Sequence, residues 1–300
     1  MGDKSRIAWT EATWNPITGC ARVSPACDNC YAVGMSKRLD SMGVERYAGV
    51  VEGNDWSGLI RMHPEALDQP IRWKRPRMIF PCSMSDIFHH DVPWEFIDRM
   101  FEVMTKHAPH HVYTILTKRP QRPALLAHNW SPDWKNLWFG FTGENQKFFD
   151  LRWGFARVIP ASVLWVSIEP MLGPIELPSD FLERGNRAWV VVGGESGKDA
   201  RPMHPDWVRS LLRQCQEAGV PFLFKQWGEW IPEQCCDLPV AAIEREEKLE
   251  TLFGRVPNWL HIGDLKCSWF QVGKKKAGHL LDGEEYLEFP PLPWEREWPE

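Results

Sequence analysis

Six short runs of β-branched and aromatic residues recur with starts 25 to 34 residues apart: Met78–Cys82, Val112–Leu116, Leu137–Phe141, Val163–Ile168, Trp189–Val192 and Pro221–Phe224. That interval is the length of one strand, one crossover helix and the loops that join them, which restricts the chain to successive βα units and parallel strands. With a first strand around Thr13–Ile17 the count becomes six or seven units. The expected fold is α/β, a partial or full (β/α) TIM-like barrel. Val163–Ile168 and Trp189–Val192 are continuous apolar runs, as strands covered on both faces require. The segments between read as helices. Pro93–Phe101 carries apolar residues at mixed three- and four-residue spacing, and Pro205–Leu212 opens on Pro and Asp.

Each predicted strand is followed at once by polar residues. These are Ser85 and Asp86, Lys118 and Arg119, Glu144 and Asn145, Glu169, Glu195, and Lys225 with Gln226. One polar strand end is as readily a helix cap or a surface turn as a site. Six in succession, at the ends where barrel enzymes gather their chemistry, point to a shared polar pocket.

Cys20, Cys27 and Cys30 fall in one stretch, and no fourth cysteine follows nearby. Soft thiolates select zinc or iron–sulfur clusters over hard cations. A structural zinc site closes with four ligands. Three thiolates on a four-iron cluster leave one iron open to a small molecule, so three ligands favour chemistry over stapling. Cys82, Cys215 and Cys267 read as small buried hydrophobes. Cys235 and Cys236 could hold a second metal, but adjacent thiols fit one ion poorly. His89-His90-Asp91 and the His107, His110 and His111 group read as surface features more readily than as acid–base or metal centres.

The chain has 300 residues, 43% of them hydrophobic, enough for a large core. Its net charge of −5 leaves no general polycationic coat for nucleic acid. Local patches remain in Arg72, Lys74, Arg75 and Arg77, and in Lys274, Lys275 and Lys276. Solvated surface is the first reading of each. Eight cysteines in this length do not form a secreted disulfide framework. No charged-then-apolar leader and no apolar run of membrane-spanning length is seen, so the expectation is a soluble cytoplasmic protein without a membrane partner. The 18 tryptophans should mostly pack in the core, with a few left for a pocket. The βα rhythm ends near residue 230. The barrel is therefore expected over residues 1–230, and a C-terminal extension over 231–300 covers its mouth or its open edge. Within the extension Glu244–Glu250 reads as a charged helical piece. The Val51–His63 insertion reads as a loop or small subdomain.

Cys-x6-Cys-x2-Cys-Tyr resembles the radical SAM cysteine loop, with a first gap wider than the commonest form. Thr13-Trp14-Asn15-Pro16, Ser83–Phe88, Leu116-Thr117-Lys118-Arg119-Pro120, Ser167-Ile168-Glu169-Pro170, Gly193–Gly197 and Phe224–Gly228 follow in the order found in the phage Gp37/Gp68-like family (DUF5131), regarded as radical SAM-like. The resemblance runs from about Trp9 to Pro290. It implies a barrel of the radical SAM type and a [4Fe–4S] cluster on Cys20, Cys27 and Cys30, with S-adenosylmethionine (SAM) on the open iron. Reductive cleavage would then give a 5′-deoxyadenosyl radical. The protein's part is ligation, orientation and exclusion of side reactions.

By the same resemblance Tyr31 packs beside the cluster. Ser85 and Asp86 stand where relatives contact the methionyl amino group, although Ser83 and Ser85 replace the usual glycines. Lys118 or Arg119 would meet the methionyl carboxylate, and Glu144 or Asn145 the ribose. Gly193, Gly194 and Glu195 would approach adenine or substrate, the spacing being wrong for a Rossmann fingerprint. Glu169, Lys225 and Gln226 remain as the catalytic, substrate-side set, with Trp227 as a stacking face. The alternative for Glu169 and Lys225 is that they simply pair with each other. The expected partners are a reductase or flavodoxin-type electron donor and a nucleobase, nucleotide or nucleic acid substrate, for instance a modified thymine in phage DNA. Two other readings stand beside it: radical SAM modification of a peptide or partner protein, and a non-enzymatic module stabilised by zinc or a cluster, with a remote ligand such as Cys82.

Overall fold

A computed structural model describes residues 4–235, 258–262 and 267–294. Cys236 and the Glu244–Glu250 piece lie outside the described residues. Seven strands form one open, wholly parallel sheet: β1 (Ala12–Trp14), β2 (Met78–Pro81), β3 (Val112–Thr117), β4 (Leu137–Thr142), β5 (Val163–Ile168), β6 (Ala188–Gly193) and β7 (Phe222–Gln226). Spatial order equals chain order, and the sheet curls into a half-barrel. The barrel is thus partial. The first strand ends at Trp14, because Ile17–Thr18 pairs antiparallel with Arg61–Met62 instead. The Val51–His63 insertion contributes that pairing and a second small hairpin, Val51–Glu52 with Asp55–Trp56.

Strand alternation sorts the residues onto two faces. Tyr113, Ile115, Phe139, Phe141, Val166, Val190 and Phe224 face the helices, packing with Phe96, Phe149, Trp153 and Leu211. Those residues belong to α2 (Trp94–Glu102), α3 (Gln146–Ala156) and α4 (Pro205–Ala218), while α1 (Tyr31–Ser41) follows the cysteine stretch. The other face carries Phe80, Trp138, Trp165, Trp189, Val191 and Leu223, joined by Trp9 from the N-terminal segment. Trp9, Trp165 and Trp189 meet in tilted and edge contacts at 5.1 and 5.4 Å. Gly140 makes this possible. A Cβ there would sit 2.2 Å from the Trp165 ring, so the strand interior gives up a side chain to admit an indole. The inner face is filled by tryptophan where a closed barrel would use layers from opposite strands.

The helix ends follow from sequence. His204 caps α4 by accepting from the Asp206 N–H, Pro205 takes the first helical position, and Gly219 ends it at φ 64°. Asn145 caps α3 by accepting from Phe148 N.

The extension adds β8 (Trp230–Pro232), β9 (Asn258–Ile262) and β10 (Cys267–Gln271), an antiparallel sheet with β10 in the middle. Its last part runs along β7, with Phe224 N donating to Tyr286 O at 2.8 Å and Glu288 N to Phe222 O at 3.2 Å. It covers one open edge of the half-barrel, which would otherwise present unpaired amides. No helix among the described residues is long and apolar enough to cross a membrane.

Candidate functional site

Beyond the C-terminal ends of the strands lies a cavity of about 490 Å3. Alternation decides much of its lining. The inner-face series Leu116, Lys118 continues out of β3, Trp165, Ser167, Glu169 out of β5, and Leu223, Lys225 out of β7, and all of these ends reach the cavity except the deep tryptophan and Leu223. Cys20, Cys27 and Cys30 line the same cavity, although the chain delivers them from the opposite wall.

The cysteine loop is fastened to segments that follow four of the seven strands. Ser85 Oγ donates to Gly19 O at 2.5 Å, and Tyr31 Oη to Ser83 O at 2.7 Å. Arg119 donates to Ala21 O at 2.9 Å and lies 3.8 Å from Cys20 Sγ. Glu144 accepts from Ala26 N at 3.5 Å while holding Arg152 at 2.5 Å, both side chains being almost fully buried. Asn29 donates to Glu195 at 3.0 Å, and Arg201 bonds both Glu195 (2.6 Å) and Pro25 O (2.8 Å). A loop whose regular structure is one 3-10 turn, Pro25–Cys27, is in this way held by hydrogen bonds, several of them charge-assisted.

This geometry changes the roles expected of several residues. Asp86 reaches the cavity, but its four lone-pair positions are taken by Phe88 N, Thr117 Oγ1, Lys118 N and Arg119. Arg119 is correspondingly spent on Asp86 and the loop, in a pair only 7% exposed on each side. Glu144 does not line the cavity, and Asn145 is a helix cap. Glu195 is buried, and burial alone would raise its carboxyl; the hydrogen bonds from Arg201 and Asn29 outweigh that and hold it below the ordinary glutamate value. These residues position the cysteines. They offer little to a cofactor.

Gly193 and Gly194 serve packing. A Cβ on Gly194 would lie 1.8 Å from Trp227 O, so glycine lets the ends of β6 and β7 touch. At Gly193 the space is filled by the Glu169 carboxylate, 3.0 Å from where a Cβ would be. Glu169 and Lys225 do pair, at 2.5 Å, and remain 14% and 20% exposed to the cavity. Glu169 also accepts from Trp9 Nε1 at 3.0 Å and Ser167 Oγ at 3.2 Å. Gln226 lines the cavity and donates to Gly194 O, while its Oε1 is buried without a partner among the described residues. Trp227 is no stacking face: it is buried against Phe224 and donates to Leu280 O.

Sequence reasoning missed four cavity residues. Trp9 comes from a segment before the first strand, Arg6 from the same segment, and Lys274 from the extension. Cys82, read as a small core hydrophobe, is buried but lines the cavity, with the left-handed φ of 61° that a non-glycine residue rarely adopts. The signal available was its place directly after β2. Cys215 and Cys267 are buried and do not line the cavity.

Burial, then the Asp86 carboxylate, pushes the Cys20 thiol up to about 11 against the pull of Arg119, and burial raises Cys30 against Lys118. Such thiols keep their protons until a thiophilic metal displaces them. One ion with Zn–S bonds of about 2.3 Å draws its sulfurs to about 4 Å of one another. Among the described residues the single group of potential ligand atoms within 4.8 Å of one another is His89, His90 and Asp91, not the cysteines. His89 is there a buried turn residue, its Nδ1 accepting from Asp91 N at 3.3 Å, and burial holds its pKa down at about 4. The three cysteine sulfurs share the cavity without all lying within 4.8 Å of one another.

No curated protein and no solved structure matches the chain. A family model does, over residues 4–290, and the chain accordingly belongs to the family described as "Protein of unknown function (DUF5131)".

Proposed function

We propose that the protein is a radical SAM enzyme whose Cys20, Cys27 and Cys30 ligate one [4Fe–4S] cluster. The observation that carries this reading is that the three cysteines of one loop share a cavity at the C-terminal strand ends with Lys118, Glu169 and Lys225. The donor set fits: soft thiolates, three in number, in a pocket whose volume is within the ordinary range for small ligands. When bound and reduced by an electron donor, the cluster and SAM together supply a 5′-deoxyadenosyl radical.

The chain's own residues then have distinct tasks. Glu144, Glu195, Arg119 and Arg201 hold the loop and with it the three cysteines. Lys118 has no ion-pair partner among the described residues and is the cation left for the methionyl carboxylate. Tyr31, tethered to Ser83 O, walls the cysteine side. Glu169 and Lys225, fixed by Trp9 and Ser167, close the far side, where a substrate meets the reacting carbon. A reducing compartment such as the cytoplasm suits this chemistry.

The reading is tested by anaerobic reconstitution with iron and sulfide, reduction, and assay of 5′-deoxyadenosine. Cleavage in the parent protein and none in Cys27→Ala is the expected result. A second reading is favoured by Cys82 on the same wall: four thiolates closing a structural metal site. It requires that Cys82→Ser lose the metal, whereas the first reading leaves the metal in place.

A further inference from the structure

Charge around the cavity is unevenly balanced. The three carboxylates that line it each have a cation: Asp86 has Arg119, Glu169 has Lys225, Glu195 has Arg201. The side chains of three lining cations, Arg6, Lys118 and Lys274, have no ion-pair or hydrogen-bond partner among the described residues. The proposed function uses one of them, Lys118, for the methionyl carboxylate. Arg6 and Lys274 remain, lining the one cavity from distant parts of the chain. Burial, and then the Lys225 ammonium, pulls Lys274 below the ordinary lysine value against the opposing Glu169 carboxylate. A chain of net charge −5 has assembled a positive mouth at one place. The other basic run does not contribute. Arg77 precedes β2, at the opposite end of the strands, and stands 5.1 Å over Trp73, while Arg72 pairs with Asp68.

The same cavity has an aromatic and apolar part. Tyr31, Met35 and Trp56 line it, with Tyr31 58% and Met35 44% exposed. Tyr31 is held in place by its bond to Ser83 O. Unpaired cations and aromatic side chains lining one cavity fit an anion that carries a planar group, the combination by which proteins hold nucleotides and single strands.

Resting on the radical SAM reading for the chemistry but not for the binding, we infer that the substrate is a nucleoside phosphate ester, held by Arg6 and Lys274 at its phosphate with its base against Tyr31 and Trp56. Its phosphate stays at the mouth and its base enters towards Glu169 and Lys225.

Competition against a fluorescein-labelled single-stranded oligodeoxynucleotide tests this, using the full-length reconstituted protein across a sodium chloride series. Thymidine 5′-monophosphate should compete and thymidine at the same concentration should not. Arg6→Ala/Lys274→Ala should weaken oligonucleotide binding at least about tenfold and lower the slope of log affinity against log salt by about 1.4, from two lost contacts at about 0.7 each. Lys275→Ala, next to the rim but not lining the cavity, should bind as the parent does. Tighter binding by the strand than by the monophosphate assigns the phosphate to nucleic acid; the reverse assigns it to free nucleotide. Equal competition by thymidine, displacement by polyglutamate but not by nucleotide, or parental binding by a folded double variant would overturn the inference. Iron content is read in parallel. Full iron with no phosphate preference sinks this inference alone, and phosphate preference without iron sinks the cluster reading alone.

Discussion

The two walls of the cavity are built differently. On the cysteine side nearly every polar group is answered by another from a distant part of the chain, as with Glu144 and Ala26 N, Asn29 and Glu195, and Arg201 and Pro25 O. Elsewhere in the lining, the side chains of Arg6, Lys118 and Lys274 have no hydrogen-bond or ion-pair partner among the described residues. A buried charge left alone is costly, so a chain satisfies it internally wherever position is what matters. A cation left open at a cavity rim costs little, because water reaches it until a ligand does. The fastened wall is architecture for the thiolates, and the open rim is where recognition belongs.

The largest effect is expected on the fastened wall. Glu144→Ala leaves Arg152 buried and uncompensated and frees Ala26 N, which should cost about 3–5 kcal/mol in urea unfolding. A loss under 1 kcal/mol would mean that the wall is not held as described. Lys225→Met lies between the two regimes. Glu169 keeps Trp9 Nε1 and Ser167 Oγ, so the variant should fold, with a loss of about 1–3 kcal/mol. It should still cleave SAM but turn over no substrate; loss of both fold and cluster would make Lys225 purely structural.

A pH profile sharpens the comparison. Hydrogen bonds hold the Glu195 carboxyl below its ordinary value in the folded protein. The stability it contributes is therefore complete above the unfolded value of about 4.3 and is lost as pH falls through the folded value. Glu195→Gln should flatten the acid limb of the unfolding midpoint, and an unchanged limb would remove Glu195 from the loop's support. Asn145→Ala should show the smallest effect, about 1 kcal/mol from the lost cap with iron content unaltered. Iron loss in that variant would restore Asn145 to the site.

The strands were legible because each is a run of β-branched and aromatic residues bounded by polar ones, and Val163–Ile168 is bounded in the structure as the pattern predicts. The cavity was legible too, since the residue after a parallel strand has few other places to go. The division of labour was not. Whether Glu144 faces a ligand or the amide of Ala26 depends on a pairing across more than a hundred residues, and no local pattern encodes it. Asp86 shows the same limit: its sequence context predicts a free carboxylate, while Thr117 and Arg119 saturate it. Arg6 and Lys274 were invisible as site residues because both lie outside the strand rhythm. The closing of the sheet's edge by the extension was expected in kind, though its hydrogen bonds to Phe222 and Phe224 had no signature in the sequence.

The central claim is that Cys20, Cys27 and Cys30 carry one cluster on the fastened wall. Its most direct test is iron and sulfide per chain after anaerobic reconstitution of the full-length protein, compared with Cys20→Ala, Cys27→Ala, Cys30→Ala and Cys82→Ser. The account predicts about four irons per chain in the parent and in Cys82→Ser, and loss of the cluster in each of the other three. A parent protein that binds one zinc, or a Cys27→Ala protein with all its iron, would contradict it.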